Sequence, residues 1–392
     1  MRDFLFREAE VRTLCNTLRS GGSVLVFGLR RTGKTWVLEE AARRLAADDA
    51  ATGGDHKAAQ RRLQPCLIDV QTLSTPSQLY NAILAALPAG VLARWRRLVL
   101  DGRTLPSKLA DAIQNRLKKG SFGGASVELD KGLVDYWEPI AAATGQALAD
   151  ADPPVALFID ELPFFIENLL EQGFEKRFAK QVLSTLRAWR GSGTPMAIAG
   201  SISLDFLLAD LEITSQVMNN VDRLFLYPFQ PDEAREMLRR RAQAFGLGSW
   251  DDACLDAILA RIDDLHPFFI DLIARKLSGA DCCDPAYIDR TFARQYWPDL
   301  RRTFFPQFQE RLAKYFTAEE RRAAETLLDA LARSDAETLS RHAIAALLPD
   351  VGAALGPLLD KLQRQEFIHA QEPGEYAFAL RVLRHWRIDH GA

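Results

Sequence analysis

Gly28, Gly33, Lys34 and Thr35 stand within Gly28-Leu29-Arg30-Arg31-Thr32-Gly33-Lys34-Thr35, an octet that fits GxxxxGK[ST]. The two glycines let a turn present its backbone N–H groups and let an oxyanion come close to them. Lys34 adds a compact positive charge, and a following helix adds its N-terminal dipole. The Thr35 hydroxyl is a hard oxygen donor suited to Mg²⁺. The spacing therefore predicts a cradle for nucleotide phosphates that takes ATP or ADP with Mg²⁺. Arg30, Arg31 and Thr32 complete the loop; the two arginines would reach phosphate, an acidic neighbouring surface, or solvent at the loop apex.

A cradle alone binds; hydrolysis also needs an acid to hold the metal and a base to activate water. About 125 residues downstream, the apolar run Val155-Ala156-Leu157-Phe158-Ile159 ends in Asp160-Glu161. A strand would carry both acids to its C-terminal end, where open α/β sheets hold their ligands. Asp160 would hold Mg²⁺ through water, and Glu161 would orient and polarise the attacking water; a solvated or helix-capping acid pair is the plainer alternative. The segment AIAGSIS supplies a third candidate, Ser201. On a strand lying between the two motifs, Ser201 would point at the γ-phosphate or the water, or else be a buried serine satisfied by backbone.

The elements that must position these residues are legible around them. Ser23–Gly28, Pro65–Gln71, Pro153–Leu162, Thr194–Leu204 and Asp222–Phe229 read as strands, the central ones continuously apolar as in a doubly covered parallel sheet. Helical periodicity appears over residues 7–19, 34–47, from Ser74 onward and over 167–189. Strands alternating with helices argue a doubly wound α/β core ending near residue 229. Residues 90–150 read as helix, a Gly-rich Lys118–Gly132 segment with hairpin character, and helix. Beyond 229 the pattern is helical to residue 316. Helices at about 318–333, 338–347 and 351–365 then precede EFIHAQEPGEYAFAL, two short strands on a Pro-Gly turn: a winged helix-turn-helix.

The 392 residues, 48% hydrophobic and 26% charged with a net charge of -3, are ordinary for a soluble protein of two or three domains and exclude a general polyanion binder. Five cysteines without CxxC spacing argue against a disulfide framework or zinc site and favour a reducing cytoplasm. The N-terminus lacks a signal-peptide pattern, and no apolar run is long enough for a membrane span.

GLRRTGKT, LFIDELPFFI, AIAGSISL and LFLYPFQPDEAREML together resemble the archaeal-type P-loop ATPases of the STAND and AAA+ group, relatives of the origin-recognition ATPases. LFREAEVRTL is similar to that group's entry segment near the adenine, LHPFFIDLIARKL to a lid helix, and YAFALRVLRHW to the end of its winged helix. The resemblance covers almost the whole chain, with the loop and the acid pair as its specific parts. It implies an AAA+/STAND-like parallel-sheet core (1–229), a helical lid and connector (230–316) and a winged helix (317–392). Two positions depart from or extend the pattern. Many such lids place an arginine on the γ-phosphate, whereas this chain offers His266-Pro267, so His266 contacts the phosphates or merely caps a helix. Arg223 sits where the origin-recognition group carries an arginine for the neighbouring subunit's nucleotide, which implies a nucleotide-dependent homo-oligomer; a surface salt bridge is the alternative.

From Thr317 onward twelve acids face nine Lys and Arg, a net of -3, and the expected recognition helix VGAALGPLLDKLQRQ offers Lys361, Arg364 and two glutamines. DNA binding leans on phosphate neutralisation, so a protein partner is the favoured reading of this module. Arg294, Arg301, Arg302 and Arg311 could form a separate basic face or a solvated surface. The expected function is an ATP-hydrolysing switch that couples nucleotide state to lid and winged-helix movement. The alternatives are a DNA-binding loader or regulator, a signalling or defence module with negligible turnover, and, less well supported, a kinase. The absence of an NKxD-like motif favours adenine.

Overall fold

The computed structural model of the protein describes residues 7–51, 61–100, 137–200, 221–246, 250–279 and 284–390. They fall into two compact units: 7–28 with 34–226, and 29–33 with 227–392.

The first unit runs α1 (Glu8–Arg19), β1 (Val24–Phe27), α2 (Lys34–Ala51), β2 (Gln64–Asp69), α3 (Pro76–Ala86), α4 (Ala89–Leu100), α5 (Trp137–Ala149), β3 (Val155–Asp160), α6 (Leu162–Glu171), α7 (Lys176–Gly191), β4 (Met196–Gly200) and β5 (Asp222–Phe225). The five strands are parallel, in the order β2-β3-β4-β1-β5. Successive strand residues point to opposite faces, and both faces are covered. Val24, Val26, Ala156, Phe158, Ala197 and Ala199 pack against α1 and α2. Leu25, Phe27, Ile68, Leu157, Ile159 and Ile198 pack against α3–α7. That double burial is why β1, β3 and β4 read as unbroken apolar runs. β4 lies between β3 and β1, as the expected placement of AIAGSIS requires.

The single helix expected over 167–189 is two. Directly after β3 the chain enters α6, which ends at Glu171 and is closed by Gln172 N–H to Asn168 O (3.0 Å) and Gly173 N–H to Leu170 O (3.0 Å), with Gly173 at φ 85° just past the C-cap. The apolar period crosses this break, so a glycine in the left-handed conformation, not the periodicity, ends the helix. The Lys118–Gly132 hairpin reading lies outside the described residues.

The second unit runs α8 (Pro231–Ala244), α9 (Asp252–Leu259), α10 (Pro267–Leu277), α11 (Pro285–Thr291), a π-helical turn (Phe292–Tyr296), α12 (Trp297–Thr303) and α13 (Pro306–Tyr315). It continues through α14 (Ala318–Arg333), β6 (Thr338–Ser340), α15 (Arg341–Leu347), a 3₁₀ segment (Pro349–Ala354), α16 (Leu355–Arg364), β7 (Ile368–Glu372), β8 (Glu375–Phe378) and α17 (Val382–His390). Proline opens α8, α10, α11 and α13, where its missing N–H costs no helical bond. One aromatic core runs through the unit: Phe308 lies 5.3 Å from Phe304, 5.5 Å from Phe367 and 5.8 Å from Trp386 between ring centroids.

The expected hairpin is present as β7 and β8, turning at Gly374 with φ 86°. Residues 338–340, expected as the start of a helix, instead form β6, which pairs antiparallel with β8 in the order β6-β8-β7. Three residues carry too little period to be told from a helix start. The helix begins only where the Ser340 hydroxyl accepts from Ala343 N–H at 3.1 Å. Among the described residues no helix is long and apolar enough to cross a membrane.

Candidate phosphate and metal site

The loop from β1 to α2 is shaped by backbone angles. Gly33 has φ 92°, and a Cβ there would meet nothing within 4 Å, so the glycine is required by its angle and not by space. Arg31 also adopts positive φ, 72°. Thr32 is buried, and its hydroxyl donates to Leu29 O at 2.8 Å. Lys34, the first residue of α2, is buried apart from 5% of its surface and donates from Nζ to Gly28 O at 3.0 Å. Within the other unit, Glu366 Oε2 accepts from Arg30 N–H at 3.3 Å and lies 3.6 Å from Arg30 Nε, while the Arg31 guanidinium lies 4.3 Å from the Phe268 ring centroid. Of the surroundings open to the two arginines in the sequence, Arg30 thus meets an acid of its own chain.

Asp160 ends β3, and the strand register sets it beside Asp69 of β2. It is only 3% exposed, and its Oδ1 has no hydrogen-bond partner among the described residues. Burial holds its carboxyl above the ordinary range and the Asp69 charge adds to this; a hydrogen bond from the Thr35 hydroxyl and the nearby Lys34 charge pull the other way. A buried carboxylate with an unused oxygen beside a hydroxyl is a donor set that fits Mg²⁺. Among the described residues no three His, Cys, Asp or Glu are grouped to hold a metal. A cation here would rest on Thr35 and Asp160, with water completing its shell, which is the habit of Mg²⁺.

Burial raises the Asp160 carboxyl above its ordinary value in the folded chain, so ionising it costs stability, and that cost grows as pH rises from the ordinary value through the raised one. Asp160→Asn should therefore raise the melting temperature of nucleotide-free protein by about 2–4 °C and abolish any additional stabilisation by Mg²⁺ with ATP. Thermal melts with and without Mg²⁺–ATP check both; a lowered melting temperature would refute the account of Asp160 as an uncompensated buried acid.

Glu161 follows in the left-handed conformation, φ 60° and ψ 37°, at the N-cap position of α6. Its side chain makes no capping bond, so the capping alternative does not apply. A bulky residue held there is strained by about 1–3 kcal/mol, a feature that clusters at functional sites. Sequence reasoning missed Asp69, an exposed acid whose Oδ1 accepts from Gln71 N–H at 2.9 Å. Its signal was available: CLID ends in the same apolar-then-Asp pattern as LFID.

The remaining candidates are more scattered. Ser201 lies outside the described residues. Arg223 is exposed on β5, an edge strand, with its guanidinium 5.4 Å from the Phe27 ring centroid. His266 stands at the N-cap of α10 and is 1% exposed, but its side chain does not cap; the ring meets Phe269 edge-on at 6.1 Å. The capping role offered for it is thus filled by position only.

Residues 3–163 match the sequence profile described as an AAA ATPase domain. No curated protein matches the chain at a significant level. Among solved structures, the Aeropyrum pernix ORC2 protein in its ADPNP–ADP complexes superposes with a TM-score of 0.56 at 13% identity, covering 97% of this chain and 91% of that one. The A. pernix ORC1 protein in complex with DNA gives a TM-score of 0.46 at 15% identity, covering 98% and 92%. The Thermotoga maritima RuvB Holliday junction branch migration motor gives 0.42 at 13%, covering 97% and 93%. At such identities the ORC2 likeness speaks to the fold alone.

Proposed function

We propose that this chain, which carries an AAA ATPase domain over residues 3–163, is an ATP-binding and Mg²⁺-dependent ATP-hydrolysing switch. The observation that carries the reading is Asp160: a buried, half-satisfied carboxylate hydrogen-bonded to Thr35, one residue beyond the phosphate-loop lysine. Lys34 and the N-terminus of α2 bind the outer phosphates. Thr35 and Asp160 would hold a Mg²⁺, which would supply screening of the phosphate charge. Glu161 accepts a proton from the attacking water and orients it. Ser201 would assist at the γ-phosphate.

The same proposal divides the chain into a core to residue 229, a lid over 230–316 and a winged helix over 317–392, with nucleotide state moving the last two. In an oligomer Arg223 would serve the neighbouring subunit's site. A cytoplasmic setting fits the cysteine usage. Release of phosphate from ATP, dependent on Mg²⁺ and followed with and without light scattering for assembly, tests the reading. Protein that neither binds nor hydrolyses ATP would end it.

A protein partner for the winged helix is supported by where its cations are spent. Lys361 on α16 pairs with Glu320 at 2.6 Å, Arg381 and Arg384 with Glu337 at 2.8 and 3.4 Å, Arg321 with Glu325 at 3.0 Å, and Arg387 with Asp329. Upstream, Arg301 pairs with Asp389 at 2.6 Å, and Arg311 donates to Gln365 O at 3.0 Å. Cations already paired with acids of their own chain, many of them at the surface, must give up those pairs before they displace counterions from a duplex. Gel-shift titration should therefore show weak DNA binding with a log–log salt slope shallower than about -3. A steep slope would favour the DNA-loader alternative.

A further inference from the structure

Glu366 carries two costs that the fold does not require. It follows the C-cap of α16 with φ 59°, closing the helix through Glu366 N–H to Gln363 O and Phe367 N–H to Leu362 O, both 3.0 Å. Glycine is the ordinary occupant of such a position, because a side chain there is strained. The carboxylate is also 96% buried, with one oxygen on the Arg30 N–H and guanidinium and Oε1 without a partner among the described residues. A buried, half-satisfied acid in a strained conformation destabilises the chain that keeps it.

What this acid touches is the phosphate loop. Residues 29–33 belong to the same compact unit as Glu366. Arg311 fixes the turn before it by donating to Gln365 O, and Phe268 and Phe304 hold the Arg31 guanidinium at 4.3 and 6.0 Å. Amides and arginines in such a loop are anion-binding groups, and here a carboxylate of the chain itself occupies two of them.

We propose that Glu366 is an internal anion on the phosphate loop that opposes nucleotide polyphosphate and so sets the affinity of the site. The inference rests on the reading of residues 28–35 as a nucleotide cradle. Like charges at close range in a poorly solvated setting repel, so bound phosphate and the ionised Glu366 disfavour each other. By reciprocity, nucleotide weakens the hold of Glu366 on the loop, and a partner that draws the 365–367 turn away strengthens nucleotide binding. Glu366 is thus an affinity-determining residue that needs no direct bond to the ligand.

The test uses the full-length chain and a fluorescent N-methylanthraniloyl-ADP, with binding followed by anisotropy and stability by thermal melting. Glu366→Gln keeps the shape and an acceptor oxygen but loses the charge; it should tighten binding about tenfold. Glu366→Gly also removes the backbone strain; it should tighten binding while leaving the melting temperature unchanged or higher. A purely structural residue would do the reverse, with Gly lowering the melting temperature and weakening binding together, and that result overturns the proposal. Binding by wild type that is unchanged in both variants overturns it alone. Failure of wild type and both variants alike to bind the probe overturns the cradle reading, and this inference with it.

Discussion

Lys34→Ala abolishes nucleotide binding at ordinary concentrations. The ammonium is held almost out of solvent at the first turn of α2, its Nζ aimed along the loop at Gly28 O. A polyphosphate delivered to that loop meets one strong cation from the helix and the backbone amides, whereas the guanidinium groups of Arg30 and Arg31 are engaged by Glu366 and Phe268. Truncating one partner of a desolvated charged contact costs about 2–5 kcal/mol, so affinity should fall by about 30-fold to several thousand-fold. Saturating ATP stabilises a binding protein by about 2.7 kcal/mol at 100 times its Kd, roughly 5–10 °C for a domain near 200 residues. Thermal melts should show that rise in wild type and none in Lys34→Ala, while the two nucleotide-free proteins melt close together. An undiminished rise in the variant would remove the phosphate cradle and every role assigned around it.

Glu161→Gln separates binding from chemistry. The variant should retain ATP with near wild-type affinity, since the amide keeps the shape of the carboxylate and the phosphate contacts lie elsewhere. Turnover should drop by about 10²–10⁴-fold, the usual worth of a general base. The strained left-handed backbone of Glu161 argues that its position is imposed for a purpose, because a glycine or asparagine would adopt φ 60° at less cost. Single-turnover phosphate release alongside equilibrium ATP binding checks both halves. Unchanged turnover would sink Glu161 as the water-activating group; lost binding would make it a structural residue of the cradle.

The reach of sequence reasoning follows the range of the interactions involved. The loop octet, the acid pair at a strand end and the apolar strands are local patterns, each set by a few neighbouring residues and their intrinsic geometry. So are the capped helix starts, such as Thr75, whose hydroxyl accepts from Gln78 N–H at 3.2 Å in a reciprocal capping box. The break at Gly173 was equally local, but a repeating apolar stripe masked it. The three residues of β6 offered no periodicity on which to base a reading.

The local patterns were enough to locate the five strands of the sheet, the helix after the glycine-rich loop and the β7–β8 hairpin, and to nominate side chains for phosphate, metal and water. What emerged solely from the folded chain is that β2 and β5 are the sheet edges, that Asp69 stands in register with Asp160, and that Glu366 closes on Arg30 across 336 residues of chain. Strand order and side-chain meetings at such separations depend on which buried faces pair best over the whole unit. No local periodicity records that choice, because the free energy that makes it is shared among residues far apart in the chain.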